Sequence, residues 1–416
     1  MPDSGAIKRI LITDYYSPAN RGDAAILEGM LHALRGVFPE ASFVVHSSDP
    51  ELVPLMHGQD LEAGRDLSDW LRRTGAPLRE AGVRAWVRAR RLGRDLRLPG
   101  EGINQTLRHY AEADLLVSKG GGFLHDYYVD VKARLLSFEL AQTLGTPVCL
   151  YAQSLGPFEQ PALRRLARRV LGRARLITVR DNASLEIVRG LRLNGPVIER
   201  TADAAFAMPD RRPDLPSLPR WEVPPATQAS KTMLTMSIRR LSKGRHGERC
   251  AEAFVALANW AATLPGLEPT FLSTCTGLGS YTMDDRLTAT AVARRCEASP
   301  KVVWADYNPY ELVGMLREHS ALHVGMRMHS DVLALLAGVP VVAVAYEPKI
   351  HGLFEAFGLQ EYVLEVADLT ADNLVEKAQL AYDNREAIAR QIAERLPEAR
   401  AGALRNAEVL RAVMDQ

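Results

Sequence analysis

The chain has 416 residues, of which 47% are hydrophobic and 24% charged, with a formal net charge of +1. That length makes two domains the expectation, each able to bury a full core, and the composition is ordinary for a globular protein. A charge so close to zero leaves no whole-protein field to draw in nucleic acid.

Short β-branched runs alternate with longer helical patterns along the chain. In the first half the strands are expected at Ile10–Thr13, Ser42–His46, Leu115–Val117, Val148–Ala152 and Leu176–Val179. The helices are expected at Ala24–Phe38, Arg134–Leu144, Ala162–Gly172 and Ala183–Arg189. Such alternation predicts parallel, doubly wound sheets. Residues 209 to 225 contain six prolines, which suit neither a helix nor a central strand, so residues 209–230 read as a linker. The alternation then restarts with strands at Met233–Ile238, Pro269–Leu272, Lys301–Trp304, Ala321–Val324 and Val341–Ala345. Helices are expected through Ala251–Leu264, near Asp285–Glu297, through Tyr310–Glu318 and over Asp331–Ala337. A last helical pattern runs from Glu386 to Met414, and Pro397 is expected to break or kink it. The reading is therefore α/β, with two Rossmann-like domains facing a cleft: residues 1–208, the linker, residues 231–385, and a C-terminal helical segment over 386–416.

Four cysteines, Cys149, Cys250, Cys275 and Cys296, lie far apart without CxxC or Cys/His spacing. They read as reduced thiols of a cytosolic protein and offer no zinc site. No charged-then-apolar signal pattern precedes the first strand. The longest uncharged apolar run, Val332 to Tyr346, is interrupted by Gly338 and Pro340 and is too short to span a bilayer. A soluble cytoplasmic protein is expected.

Open α/β sheets bind ligands at the carboxyl ends of their strands, and the distinctive loops fall there. Asn20-Arg-Gly-Asp23 follows the first strand and opens a helix, with Asp23 placed to cap it. Ser118-Lys-Gly-Gly-Gly122 is neither GxGxxG nor a Walker loop; Gly120, Gly121 and Gly122 allow a close approach by a ligand or another loop. Gln153-Ser-Leu-Gly-Pro157 follows, then Arg180-Asp181 with Ser184, in which Asp181 is expected to cap the next helix, and Asp203. Arg239 and Arg240 end the first strand of the second half, where a guanidinium can hold phosphate or carboxylate bidentately. Asp284-Asp285 reads either as a metal or sugar-nucleotide diacid or as a helix N-terminal pair.

The most informative stretch is Gly325-Met-Arg-Met-His-Ser330, followed by an apolar helix, Gly338-Val-Pro340, a strand and Tyr346-Glu-Pro-Lys349. A loop that opens a helix offers free N–H groups and the positive dipole end to an anion. Arg327, His329 and Lys349 around it suit a small, multiply charged ligand, and His329 offers a proton near neutral pH. One other segment is biased: residues 72–97 carry nine arginines against Glu80 and Asp95, with Val83, Trp86 and Val87 at helical spacing. Such a segment is either a solvated helix face or a peripheral contact with an anionic membrane.

Taken in order, Asn20-Arg-Gly-Asp-Ala-Ala-Ile26, Gly120–Gly122, Gln153-Ser-Leu-Gly-Pro157, Val179-Arg-Asp181 with Ser184, Asp203, Arg327-Met-His329 and Gly338-Val-Pro340 with Tyr346-Glu-Pro-Lys349 resemble the polysaccharide pyruvyl transferases. Leu272-Ser-Thr-Cys-Thr-Gly277 with Ser280-Tyr281 and Asp284-Asp285-Arg286 is similar to the colanic-acid-type branch. The resemblance implies a GT-B-like fold, phosphoenolpyruvate as donor, and as acceptor a sugar diol of an exopolysaccharide repeat unit, free or lipid-linked. It implies neither a redox cofactor nor a metal. Arg327 would bind the donor's anionic groups with help from Arg239 and Lys349, and His329 would act as general acid/base. Asn20, Asp23, Gly120, Gly121, Gly122 and Arg180 would face the acceptor or hold the cleft on the N-terminal side. The basic segment 72–97 is no part of this resemblance; of its two readings above, the membrane contact would place the enzyme at the inner membrane face. Two other classes share these features: a GT-B glycosyltransferase using a sugar nucleotide, and a non-catalytic carbohydrate-binding member.

Overall fold

The alternation read from the sequence folds as two separate, wholly parallel sheets. The computed structural model describes residues 7–72, 75–100, 102–211, 232–241, 245–347 and 349–416. Most of the Pro-rich stretch (212–230) and Arg73 of the basic segment lie outside the described residues. Two compact units result: residues 1–18, 26–209 and 401–416 form the first, residues 19–25 and 210–400 the second.

The strands of the first unit are β1 (Arg9–Tyr15), β2 (Ser42–Ser47), β3 (Glu62–Arg65), β4 (Leu115–Ser118), β5 (Gly121–Leu124), β6 (Val148–Leu155), β7 (Leu176–Val179) and β8 (Val197–Arg200). They run in the order β3-β2-β1-β4-β6-β7-β8, with β5 also paired to β6. The helices are α1 (Arg21–Val37), α2 (Val53–His57), α3 (Leu67–Leu71), α4 (Ala76–Arg91), α5 (Ile103–Glu112), α6 (Val131–Leu144), α7 (Pro161–Leu171) and α8 (Asn182–Gly190). Strand residues such as Ile10, Leu11 and Ile12 are fully buried, as expected when helices cover both faces of a parallel sheet.

The second unit contains β9 (Thr232–Ser237), α9 (Arg245–Thr263), β10 (Leu267–Phe271), α10 (Asp285–Ala293), β11 (Lys301–Val302), α11 (Pro309–His319) and β12 (Ser320–Gly325). It continues with α12 (Met328–Leu336), β13 (Val341–Ala345), α13 (Lys349–Phe357), β14 (Val363–Glu365), α14 (Ala371–Asp383) and the part of α15 (Arg385–Met414) up to residue 400. Its sheet order is β11-β10-β9-β12-β13-β14. Among the described residues, no helix is long and apolar enough to cross a membrane.

Several elements differ from the sequence expectation. The first helix starts at Arg21 rather than Ala24, and Asn20, not Asp23, caps it: Asn20 Oδ1 accepts from the amides of Gly22 (3.1 Å) and Asp23 (3.3 Å). Asp181 caps α8 as expected, accepting from the Ser184 amide. Pro397 does not break α15, which runs through it for 30 residues. A proline removes one backbone donor, and burial of Ile388 and Ile392 before it and of Ala407, Leu410 and Val413 after it keeps the helix in place. Residues 19–25 belong to the second unit and residues 401–416 to the first, so neither falls where the linear division of the chain put it. The stripe Val83, Trp86 and Val87 of α4 joins the hydrophobic core of the first unit, with Trp86 only 8% exposed. The face read as available to a membrane is thus turned inward, and α4 presents its arginines outward.

Residues 401–416 are tied to the first unit by a buried amide. Asn406 Oδ1 accepts from Thr178 Oγ1 (2.5 Å) and Thr201 Oγ1 (2.7 Å), and its Nδ2 donates to Ala202 O (3.2 Å). Removing it takes away two short bonds to buried hydroxyls and a donor to the Ala202 carbonyl. Asn406→Ala is therefore expected to destabilise the protein by about 2–3 kcal/mol. An unchanged thermal unfolding midpoint for that variant would contradict this account of the anchor.

Candidate active site

The second unit gathers most of the site residues expected from the sequence. β9, β12 and β13 are neighbours in its sheet, so their carboxyl ends share one edge. β12 ends at Gly325, and Arg327 is the N-cap residue of α12 in an extended conformation (φ −98°, ψ 116°). The helix begins three residues earlier than expected, which puts His329 in its first turn, half-buried, rather than before it. The positive dipole end of α12 thus lies at Arg327 and His329. At the far end Gly338 adopts φ +73°, open to glycine, and returns the chain to β13.

Arg327 is not left to solvent. Its Nε donates to Asp285 Oδ2 (2.7 Å) and its Nη2 to Asp285 Oδ1 (2.8 Å), a bidentate pair. Asp285 is almost wholly buried, and removing it would strand a mostly buried guanidinium at a cost of about 3–5 kcal/mol. Nη1 makes no hydrogen bond among the described residues and remains available to an anion. Beside the pair, burial pushes the Cys275 thiol up to about 11, so it stays neutral; its Sγ is 3.4 Å from the Tyr281 hydroxyl.

The adjacent acid does different work. Asp284 caps α10 through the Arg286 amide and pairs with the Arg286 guanidinium at 2.8 Å. The two carboxylates therefore serve two different arginines and do not form a shared diacid. Arg286 also donates to Trp304 O (2.8 Å) and approaches Asp306 (3.5 Å), which in turn accepts from Arg21 Nη2 (3.1 Å).

Through Arg21 the Asn20–Asp23 loop enters the same unit. Asn20 forms an antiparallel bridge with Cys275, the Arg21 amide donates to Thr274 O (2.8 Å), and the Thr276 amide donates to Ala19 O (3.2 Å). Asn20 Nδ2 donates to Asp23 Oδ2 at 2.9 Å. Gly22 lies against His329: a Cβ at position 22 would sit 2.4 Å from His329 Cβ and 2.9 Å from its Nδ1. Only glycine permits that approach. Asn20 and Asp23, expected on the N-terminal acceptor side, are thus packed in the unit that carries Arg327 and His329.

Three further cations follow strands of the same sheet. Arg239 follows β9 and lies over the Tyr346 ring at 4.5 Å from its centroid, and its buried Nε has no partner among the described residues. Arg240 is exposed. Lys349 opens α13 and pairs with Glu347 at 2.5 Å.

The remaining expected residues are in the first unit. Gly121 and Gly122 belong to β5, not to an open loop, and a Cβ on Gly120 would meet Tyr151 O at 3.1 Å and Ala152 O at 3.2 Å. These glycines let backbone pack against β6. Arg180 is buried, bonded to Asp203 (2.5 Å) and Ser154 Oγ (2.8 Å). Sequence reasoning missed a polar cluster at the carboxyl end of this sheet. Asp14, at φ +67°, accepts from Arg134 Nη1 (2.7 Å) and Ser118 Oγ (2.7 Å), and Arg134 also pairs with Asp130 (2.8 Å). Fully buried Lys119 lies beside it, donating to Gly120 O (2.7 Å). Asp66 completes the cluster, its carboxyl raised to about 6 by burial and by Asp14. A charged residue directly after the strand expected at Ile10–Thr13 and an arginine amid the apolar residues of α6 were the available signals.

The fold places the chain among two-unit Rossmann-like proteins of the GT-B kind. A putative UDP-N-acetylglucosamine 2-epimerase from Listeria monocytogenes superposes with a TM-score of 0.62 at 15% identity, covering 96% of this chain and 94% of that one. A UDP-glucose:anthocyanidin 3-O-glucosyltransferase in complex with UDP does so at 0.55 and 12%, covering 99% and 100%. The family model for polysaccharide pyruvyl transferase matches residues 20–348, and the chain belongs to that family. The amylovoran biosynthesis protein AmsJ of Erwinia amylovora is 28% identical over 411 residues, spanning 94% of this chain and 96% of that protein.

The Gly22–His329 contact can be tested directly. Gly22→Ala should displace the imidazole and lower turnover by roughly 10- to 100-fold, because small misplacements of a reacting group are costly. Gly36→Ala, on the same helix with open space at its Cβ, should leave turnover unchanged. Equal turnover in both variants would remove His329 from the reacting centre.

Proposed function

We propose that this protein transfers the enolpyruvyl group of phosphoenolpyruvate to a sugar diol of an exopolysaccharide repeat unit, forming a pyruvate ketal and releasing phosphate. Beyond family membership, the observation that supports this reading is the pairing of an Asp285-held Arg327 with His329 in one helix N-terminal turn. Phosphoenolpyruvate carries a phosphate and a carboxylate on three carbons. The free Nη1 of Arg327, the positive dipole end of α12, Arg239 and Lys349 supply cations and positive potential of the kind such a ligand needs.

Protonated His329 gives its proton to C3, turning the methylene into a methyl group and making C2 electrophilic. One sugar hydroxyl adds to C2 and its proton returns to the imidazole. The C2–O bond to phosphate breaks, and the second hydroxyl closes the ring on C2. Of the two hydroxyl protons, one balances that delivered to C3 and the other leaves with phosphate. No electrons pass to an acceptor, so the reaction requires no redox cofactor. Asn20 and Asp23 would act at the His329 side of the site. Gly120, Gly121, Gly122 and Arg180 would shape the first unit, where the acceptor sugar is placed in this reading. We place the enzyme in the cytoplasm, where phosphoenolpyruvate is available.

Mass spectrometry of a candidate acceptor incubated with phosphoenolpyruvate tests the reaction through the mass of the ketal and released phosphate. Thermal protection by a sugar nucleotide but not by phosphoenolpyruvate would replace this reading with glycosyl transfer. His329→Ala is expected to lose roughly 100- to 10,000-fold in kcat while retaining donor affinity. Arg327→Lys keeps the charge but loses both the Asp285 fork and Nη1, so donor affinity should fall clearly. Wild-type affinity in a phosphoenolpyruvate titration of that variant would move the donor site away from α12.

A further inference from the structure

A cavity of about 510 Å³ lies in the first unit, lined by none of the residues assigned above to donor or acceptor. It is bordered by α3, α4, α6 and α7. Its floor is apolar: Leu67, Leu71, Val83, Val87, Leu136 and Leu140. Its mouth carries Arg84, Arg88 and Arg91 on successive turns of α4, with Glu80, Glu139 and Arg169. Volume and lining are those of a small-molecule site, largely apolar with a few placed polar groups.

The charges at the mouth do not cancel. Glu80 is paired with Lys132 (2.7 Å) and Glu139 with Arg169 (3.1 Å), so both acids are already matched. Arg91 donates to Thr143 O (2.7 Å) but has no carboxylate partner among the described residues. Arg84 and Arg88 are exposed and make no hydrogen bond or ion pair among the described residues. An apolar trough beneath unmatched guanidiniums suits a ligand with a hydrocarbon body and an anionic end, since guanidinium binds phosphate bidentately. A membrane surface fits less well, because Trp86, the large apolar side chain of α4, is buried in the core and does not line the cavity.

We propose that this cavity binds a single-chain anionic amphiphile, its apolar chain between α4 and α6 and its phosphate head on Arg84 and Arg88. The proposal deepens the transfer reading by giving a lipid-linked acceptor a place for its carrier, and only that link rests on the reading.

The test is a titration of the full-length protein with farnesyl phosphate below its micellar concentration, followed by calorimetry without phosphoenolpyruvate or sugar. Farnesol and inorganic phosphate are titrated alongside. Farnesyl phosphate should bind saturably and at least tenfold more tightly than either. Arg84→Gln/Arg88→Gln should weaken it tenfold or more, and Leu136→Trp, which fills the trough, should abolish it. No saturable binding, or equal binding by the double glutamine variant, overturns the proposal. So does sedimentation with phosphatidylglycerol vesicles that is lost in the glutamine variant yet intact in Leu136→Trp, since the arginines then serve a membrane surface. Binding is measured apart from turnover, so failure here leaves the ketal assay standing, and failure of that assay leaves this site standing.

Discussion

A cation at a helix N-terminus faces the positive end of the macrodipole and is disfavoured there. Arg327 occupies that position on α12, and His329 follows within the first turn. The two hydrogen bonds from Arg327 to Asp285 offset that repulsion and fix the guanidinium plane. Much else in the second unit follows from that clamp. Asp285 must open α10, so Asp284 caps it and Arg286 is drawn to Asp284, Trp304 and Asp306. The Asn20–Asp23 loop then docks on residues 274–276 and brings Gly22 to His329. Segments some three hundred residues apart in the chain thus become one site through charge pairing and a missing side chain.

The strand and helix order was legible because buried parallel strands are short β-branched runs with little ambiguity. Val341–Ala345 coincides with β13, and Val148–Ala152 lies within β6. The cationic loop before α12 was legible for a different reason: Arg and His at a helix start contradict local preference and so stand out. Asp285 could be seen in the sequence as part of an acidic pair, but not as the partner of an arginine 42 positions away. Pairing across a fold leaves no local trace. The same holds for Gly22, whose need arises from an imidazole more than three hundred residues on, and for Trp86. Helical spacing showed that α4 has an apolar stripe, but not that the stripe was already covered.

The two sheets treat their carboxyl ends differently. In the second unit the cations there are held at one edge and retain exposed donors, such as Arg327 Nη1. In the first unit Asp14, Arg134, Asp130 and Ser118 bond to one another beneath the surface, with Asp130 Oδ1 left without a partner among the described residues. Asp14 adopts a left-handed backbone that is uncommon outside glycine, and its bonds on both carboxylate oxygens hold it there. A buried network that directs its bonds inward is rigid, whereas a clamped cation with a free edge is ready to take a ligand.

The anchoring of residues 401–416 in the first unit has a consequence for the order of synthesis. That unit begins at the N-terminal side of the chain, yet Asn406 closes its bonds to Thr178 and Thr201. On the ribosome, β1 to β8 emerge well before this helix, and residues 210–400 of the second unit are made in between. Domains commonly fold in the order they are made, with the N-terminal one first. Here the first unit waits for the final turns of α15 with the Asn406 bonds to Thr178, Thr201 and Ala202 still unmade. The second unit, complete once residue 400 has emerged, is the first that can finish folding.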